Sequence, residues 1–408
     1  MSRTILKRLS LVGLGLALGL GVAELLVRAF GLGEKGSVGA LYEPDPRLGW
    51  RHRSGVEFDH RTDEFAITWR LNDEGLRRDT AVEVGPDRGR WIVLGDSHTA
   101  GHGVEGEETF SARLESLAAP VAPRLEVLNL GVDGYSTAQA CLALEPALDR
   151  YAPSAVILGV YPANDLRENL SPFGLGGFPR PRLDASLRPE PAPATRGGGG
   201  AEPDGALARM KETLSSSSKL YAFAGDRIRG GPLHRLLARA GLMRPPPDDR
   251  QARVVRHCRG CHGQLLWGTA PFSGRPRASE QAVERAASIV ERMAATCRDR
   301  DVRFVAVLIP SRLEVEGDAE AVDAAAEWMG AREKPLATIA RLREAVAAAL
   351  ADRRVSVLDL LPAARRVRDA AGAPLLYHPD DWHLSPAGHA LVADELFLHA
   401  CERGWVGP

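Results

Sequence analysis

The chain has 408 residues, enough for one large or two ordinary domains, and a hydrophobic content of 44% that supports a packed core. Its 52 Lys and Arg residues stand against 53 Asp and Glu, a formal net charge of −1. No field of that size gathers a polyanion, so nucleic acid is excluded as an expected partner.

The first element is a candidate export segment. Arg3, Lys7 and Arg8 precede an apolar run from Leu9 to Ala23, broken only by Ser10, that resumes after Glu24 as Leu25-Leu26-Val27. Basic residues before an apolar run direct a chain across a membrane and keep the basic end in the cytoplasm. One reading is an uncleaved anchor within residues 1–33, since the run approaches the ~20 residues that a span needs. The other is a signal peptide cut near the small residues Gly21-Val22-Ala23. Both put the body of the protein outside the cytoplasm, periplasmic or at the cell surface, and the first adds the membrane as a partner.

Residues 34–89 follow as a β-rich extension, in which short alternating runs such as Phe65-Ala66-Ile67-Thr68-Trp69 are punctuated by Gly, Asp and Asn. From residue 91 the pattern changes. Trp91–Leu94, Leu125–Asn129 and Ala155–Val160 are apolar runs of strand length, separated by helical patterns over Thr109–Ala118 and Ser136–Tyr151. After an interruption the alternation resumes with a helix over Glu280–Arg298, a strand over Arg303–Ile309 stopped by Pro310, a helix over Leu336–Ala351, a strand over Val355–Leu358 and a closing helix over Pro386–Cys401. Strand and helix in alternation mean a parallel sheet with helices on both faces, so the expected fold is a three-layer α/β/α sandwich on five parallel strands. The expected core therefore spans 90–170 and 256–404. The insertion between them, 171–255, opens on a stretch rich in Pro, Gly and Arg with no apolar period, expected to be loop or disorder, and has a helical pattern near 206–240.

In open parallel sheets, ligands meet residues just beyond the carboxyl ends of the strands. Ser97 lies there after the first strand, the segment 131–136 after the second, Asn164 after the third, and Asp380-Asp381-Trp382-His383 after the fifth. A serine hydroxyl becomes a nucleophile when an imidazole takes its proton, and a carboxylate keeps that imidazole in the right tautomer. His383, with Asp380 three residues earlier on a turn, supplies such a pair. The bland alternatives are Ser97 as a helix cap, Asn164 with Asp165 as a turn, and Gly134 serving only a positive φ. His98 and His102 are expected to line the pocket rather than act as bases.

Four segments together resemble the SGNH (GDSL) hydrolase family: Gly95-Asp96-Ser97, Asn129 to Tyr135, Pro162-Ala163-Asn164-Asp165, and Asp380 to His383, in the family's order. Across 90–170 and 300–402 the resemblance implies a flavodoxin-like sheet and an esterase. It also implies a triad of Ser97, Asp380 and His383, and an oxyanion hole of Ser97, Gly134 and Asn164. Asp381 is the second candidate for the carboxylate, at the spacing of related sugar O-acetyltransferases. Pro162 departs from the family, which has glycine there. The implied substrate is a carboxylic ester, small or on a glycan, with O-acetyl transfer to a sugar and lipase or thioesterase action as alternatives. No cofactor or metal is expected.

A separate motif, Cys258-Arg259-Gly260-Cys261-His262, fits covalent haem attachment, or with His257 a zinc site. Against haem stands the short stretch available for a cytochrome fold. The five cysteines, Cys141, Cys258, Cys261, Cys297 and Cys401, are an odd number and show no disulfide framework; thiols or a local disulfide are the expected state of Cys258 and Cys261.

Overall fold

The computed structural model describes residue 15, residues 19–25, 41–190 except 63, 83–84, 86–88 and 185, then 272, 275–317 and 335–406 except 380. The chain divides into two compact units, Met1–Ser37 with Arg196–Pro246, and Val38–Thr195 with Pro247–Pro408. Of the first unit, residues 19–25 are helical. Among the described residues no helix is long and apolar enough to cross a membrane. Most of the expected anchor, the helical pattern at 206–240, and the Cys258-Cys261-His262 motif lie outside the described residues.

The second unit opens with two antiparallel hairpins, β1 (Tyr42–Asp45) with β2 (Gly49–His52), and β3 (Glu57–Arg61) with β4 (Ala66–Arg70). The alternation read from sequence is visible in β4, where Ile67 and Trp69 are buried while Ala66 and Arg70 are exposed. The main sheet follows. β5 (Gly89–Leu94) leads into the short helix α1 (Ser97–Ala100) and then α2 (Phe110–Ala118). After β6 (Leu125–Asn129) comes α3 (Thr137–Tyr151), and after β7 (Ala155–Val160) comes α4 (Pro162–Glu168). A small hairpin, β8 (Arg182–Leu183) with β9 (Pro189–Glu190), precedes α5 (Pro276–Arg298) and β10 (Arg303–Leu308). The rest is α6 (Arg312–Glu316), α7 (Pro335–Asp352), β11 (Val357–Asp359), α8 (Leu361–Arg368) and α9 (Pro386–Glu402).

The five-stranded sheet has the order β11-β10-β7-β5-β6 and every pairing in it is parallel. This is the expected α/β/α architecture. The strand order reverses between β5 and β7, and the crevice of an open sheet forms at that reversal. Successive side chains of each strand enter opposite cores. Trp91 and Val93 of β5 pack in one cluster with Phe110 and Leu114 of α2 and Val392 and Leu396 of α9. Ile92 and Leu94 pack in the other with Leu144 and Leu148 of α3, Val290 of α5 and Val346 of α7. A buried Leu or Ile contributes about 1.5–3 kcal/mol, so these clusters dominate the stability of the sheet.

Helix starts follow their caps. Thr109 accepts from the Ala112 N–H, Ser385 from the Gly388 N–H, and Ser136 forms a reciprocal capping box with Gln139. The β-rich extension packs on the main sheet's loops, where Leu41, Tyr42, Trp50 and Trp69 form a third core with Ala100, Val132 and Tyr135 from the loops after β5 and β6. Residues 171–190, read as the start of a loop or disordered insertion, pack on the rest of the unit. Arg180 and Leu183 are buried, and Arg285 of α5 donates to the Leu183 carbonyl at 2.9 Å. Composition suggested disorder there; long-range packing overrides it.

Candidate active site

The turn after β5 places Ser97 at the first position of α1, with Asp96 as the cap. Asp96 Oδ1 accepts from the His98 N–H at 3.0 Å, so Ser97 is released from the capping role and its hydroxyl is free for other work. The turn fits because of three glycines at three strand ends. A Cβ on Gly95 would stand 2.2 Å from Thr99 Oγ1, one on Gly159 2.4 Å from the same atom, and one on Gly131 2.6 Å from the Ala100 nitrogen. Each is a collision, so α1 sits against the sheet only while those positions are bare.

His383 arrives from the loop before α9 and is buried. Its Nε2 lies 2.7 Å from Ser97 Oγ, across 286 residues of chain. Its Nδ1 lies 2.5 Å from Asp381 Oδ1, and the same oxygen accepts the His383 backbone N–H at 2.9 Å. The contact expected of Asp380 is made here by the second candidate, Asp381. Nδ1 has room for one hydrogen-bond partner, and Asp381 occupies it in a closed turn of two residues; Asp380 itself lies outside the described residues. Burial alone raises the pKa of the Asp381 carboxyl, but the adjacent His383 charge and hydrogen bond outweigh it and bring it far below the usual range.

Two of the expected oxyanion residues lie on loops tied to the Ser97 turn. Asn164 lies in the first turn of α4, and Pro162, the departure from the family, is the first helical residue, where its fixed φ and missing N–H cost nothing. Asn164 Nδ2 donates to Asp96 Oδ2 at 3.1 Å, which ties it to the Ser97 turn. Gly134 has φ +76°, a left-handed conformation that suits glycine. Among the described residues neither the Ser97 N–H nor the Gly134 N–H meets an acceptor. The Val132 N–H bonds the Gly95 carbonyl at 3.1 Å and so holds the Gly134 loop beside the Ser97 turn.

A second imidazole–carboxylate pair borders the first. The His102 ring centroid is 4.3 Å from that of His383, and its Nδ1 lies 3.0 Å from Asp133 Oδ2. Tyr42 of β1 donates its hydroxyl to that oxygen at 2.7 Å. Burial disfavours charge on His102, but Asp133 outweighs it and raises the pKa; Asp133 is held far below the usual carboxylate range by His102 and Tyr42 against its own burial. The His98 ring is tilted against Tyr161 at 4.2 Å and against His383 at 5.1 Å, and burial holds its pKa well below the usual imidazole value. Both histidines line the site, as their places in the sequence suggest. His102, Asp381 and His383 offer ligand atoms within 4.8 Å of one another. Asp381 Oδ1 and both ring nitrogens of His383 are engaged with each other and with Ser97, and His102 Nδ1 with Asp133.

Asp133, Tyr42, Trp50 and Arg180 are participants that sequence reasoning misses. The one available signal is the density of aromatic residues between 42 and 69, unusual for a linker.

Burial pushes the Asp96 carboxyl up to about 7, with the Asn164 and His98 hydrogen bonds pulling the other way and Glu168 and Asp133 adding to the rise. A raised folded pKa stabilises at low pH, and that stabilisation is lost as pH rises from the unfolded value of 3.8 through about 7. We expect Asp96→Asn to gain on the wild type in urea midpoint across that window. A constant difference between the two proteins from pH 4.5 to 7.5 would exclude ionisation of Asp96 there.

No protein-family model and no curated protein matches the chain. Solved structures that resemble it include a lipolytic protein of the G-D-S-L family from Desulfitobacterium hafniense DCB-2, at 11% identity and TM-score 0.35, covering 76% of this chain and 99% of that one. A lipase/acylhydrolase from Enterococcus faecalis has 14% identity and TM-score 0.37, covering 78% and 98%. The acetylxylan esterase Axe2 from Geobacillus stearothermophilus, as a catalytic mutant, has 10% identity and TM-score 0.37, covering 78% and 95%. At such values the reading of the site rests on its own geometry.

Proposed function

We propose that the chain is a serine esterase of the SGNH type that works through an acyl-enzyme on Ser97. The observation that carries this is the unbroken line from Ser97 Oγ through His383, at 2.7 Å, to the Asp381 carboxylate, at 2.5 Å. As Ser97 Oγ bonds to the ester carbonyl carbon, its proton passes to His383 Nε2, and Asp381 stabilises the resulting imidazolium. The negative charge moves to the carbonyl oxygen, for which the unoccupied N–H groups of Ser97 and Gly134 and the remaining Nδ2 proton of Asn164 are the candidate donors. Collapse breaks the bond to the alkoxy oxygen, which takes the proton from His383 and leaves as the alcohol. A second hydroxyl then repeats the sequence and releases the acyl group. With water the product is a carboxylic acid; with a sugar hydroxyl the same steps make an O-acyltransferase.

The substrate class we favour is O-acyl, chiefly O-acetyl, groups on a cell-surface carbohydrate. Support comes from the export-like first residues, which suit a membrane-attached or secreted enzyme working outside the cytoplasm. Turnover of acetylated glycans and of fatty acyl esters, each with and without an acceptor sugar, ranks hydrolase, acyltransferase and lipase readings.

The direct test is covalent. A fluorophosphonate probe should label the protein once per chain, on the peptide carrying Ser97, and abolish hydrolysis of para-nitrophenyl acetate in proportion. Labelling at another residue, or full activity after Ser97 is labelled, would exclude the mechanism.

A further inference from the structure

The peptide unit joining Asp133 to Gly134 carries the Gly134 N–H on one side and the Asp133 carbonyl on the other. Because the peptide is trans, these two groups point in opposite directions. The carbonyl accepts a hydrogen bond from the indole Nε1 of Trp50 at 3.1 Å, from a strand 83 residues earlier. The following peptide is gripped as well, since Arg180 Nη2 donates to the Gly134 carbonyl at 2.7 Å.

Trp50 is itself held in place. It is fully buried, with its ring stacked on Phe178 and edge-on to Tyr135 at 5.5 Å, and the Arg180 guanidinium lies 5.6 Å from the ring centroid. The Tyr135 hydroxyl donates to the Trp50 carbonyl at 2.5 Å. Gly174 leaves room for the indole, since a Cβ there would stand 2.1 Å from Trp50 Cη2. The donor is thus rigid, while the peptide that it meets is flexible, because glycine at φ +76° has other wells open to it. Donation to a carbonyl also polarises the amide that shares its resonance, which strengthens the N–H on the far side.

We propose that Trp50 is a positioning residue that fixes and polarises the Gly134 N–H as an oxyanion donor, so that the β1–β2 hairpin is part of the catalytic apparatus. This rests on the esterase reading above. Without the indole N–H the buried Asp133 carbonyl has no partner from the hairpin, the peptide reorients toward one, and the Gly134 N–H turns with it.

The test is Trp50→Phe, assayed with para-nitrophenyl acetate and with a trifluoromethyl ketone whose adduct on Ser97 carries an oxyanion. Losing a whole oxyanion donor costs about 10²–10³ in kcat, so a misplaced one should cost about 10–100-fold with KM nearly unchanged. Affinity for the ketone should fall by the same factor as kcat/KM, since both read oxyanion stabilisation. Tyr135→Phe, which removes only the hydroxyl tethering Trp50, should shift kcat and ketone affinity together in the same direction by a smaller factor. If Trp50→Phe does not fold, Tyr135→Phe decides the question by the same two measurements. A fall in kcat with ketone affinity unchanged in the folded variant, or wild-type values for both, overturns the proposal. Absence of Ser97-dependent turnover in the wild type instead overturns the esterase reading itself.

Discussion

Asp381→Asn should lower kcat on para-nitrophenyl acetate by about 10⁴-fold, the loss seen when the orienting carboxylate of a serine triad becomes an amide, whereas Asp380→Asn should stay close to the wild type. The reason is that one oxygen does two jobs. Asp381 Oδ1 accepts both the backbone N–H and the ring Nδ1 proton of His383. An amide that presents its NH₂ to the ring forces the proton onto Nε2, and Nε2 is the atom that must take the proton of Ser97. An amide that presents its oxygen keeps the tautomer but loses the charge that stabilises the imidazolium. Both routes slow acylation, and KM should move little because the carboxylate touches no substrate. The comparison is kcat for the two single variants at one pH, with thermal melts to show that both fold. The reverse result, with Asp380→Asn inactive and Asp381→Asn intact, would move the orienting role back to Asp380.

The second large effect concerns the nucleophile. Ser97→Ala should remove about 10⁶ of kcat, with a residue of about 10³ over water from oxyanion donors and binding that survive. His383→Ala should cost about as much, and the double variant hardly more, because the two act as one unit. Multiplying losses in the double variant would mean independent roles and no relay between Ser97 and His383. The buried Ser97 side chain is small and its helix is capped by Asp96, so the alanine variant should melt close to the wild type. That makes lost activity attributable to chemistry.

Much of this was legible in the residues themselves. The parallel sheet follows from runs such as Ala155–Val160, buried at every position, alternating with amphipathic helices such as α5. Ser97, Asn164 and His383 could be picked out because strand ends are where an open sheet places its ligands, while Gly134 was singled out within its segment only by the resemblance. The choice between Asp380 and Asp381 could not be made that way. Adjacent residues on a turn share every sequence signal, and backbone dihedrals alone decide which carboxylate faces the ring. Trp50, Tyr42 and Arg180 were invisible for a different reason. They reach Asp133 and Gly134 across 83, 91 and 46 residues, and no local period encodes contacts at such distances. The same holds for residues 171–190, where composition argued for disorder while Phe178 and Arg180 pack on Trp50.

The glycines around Thr99 bear on how such a protein can change over generations. Gly95, Gly131 and Gly159 come from three separate stretches of chain, and a methyl group at any of them would strike Thr99 or Ala100. A lineage cannot adjust this turn one substitution at a time, since every first step collides with a neighbour that has not yet moved. The hairpins over residues 42–70 carry one such collision, at Gly49, where a Cβ would stand 2.1 Å from the Pro179 carbonyl oxygen, and they lean on the same site through Tyr42, Trp50 and Phe65. Inherited variation should therefore collect at the exposed positions of that appended layer, such as Glu57, Asp59 and Arg61 of β3, while the turn bearing Ser97 stays fixed.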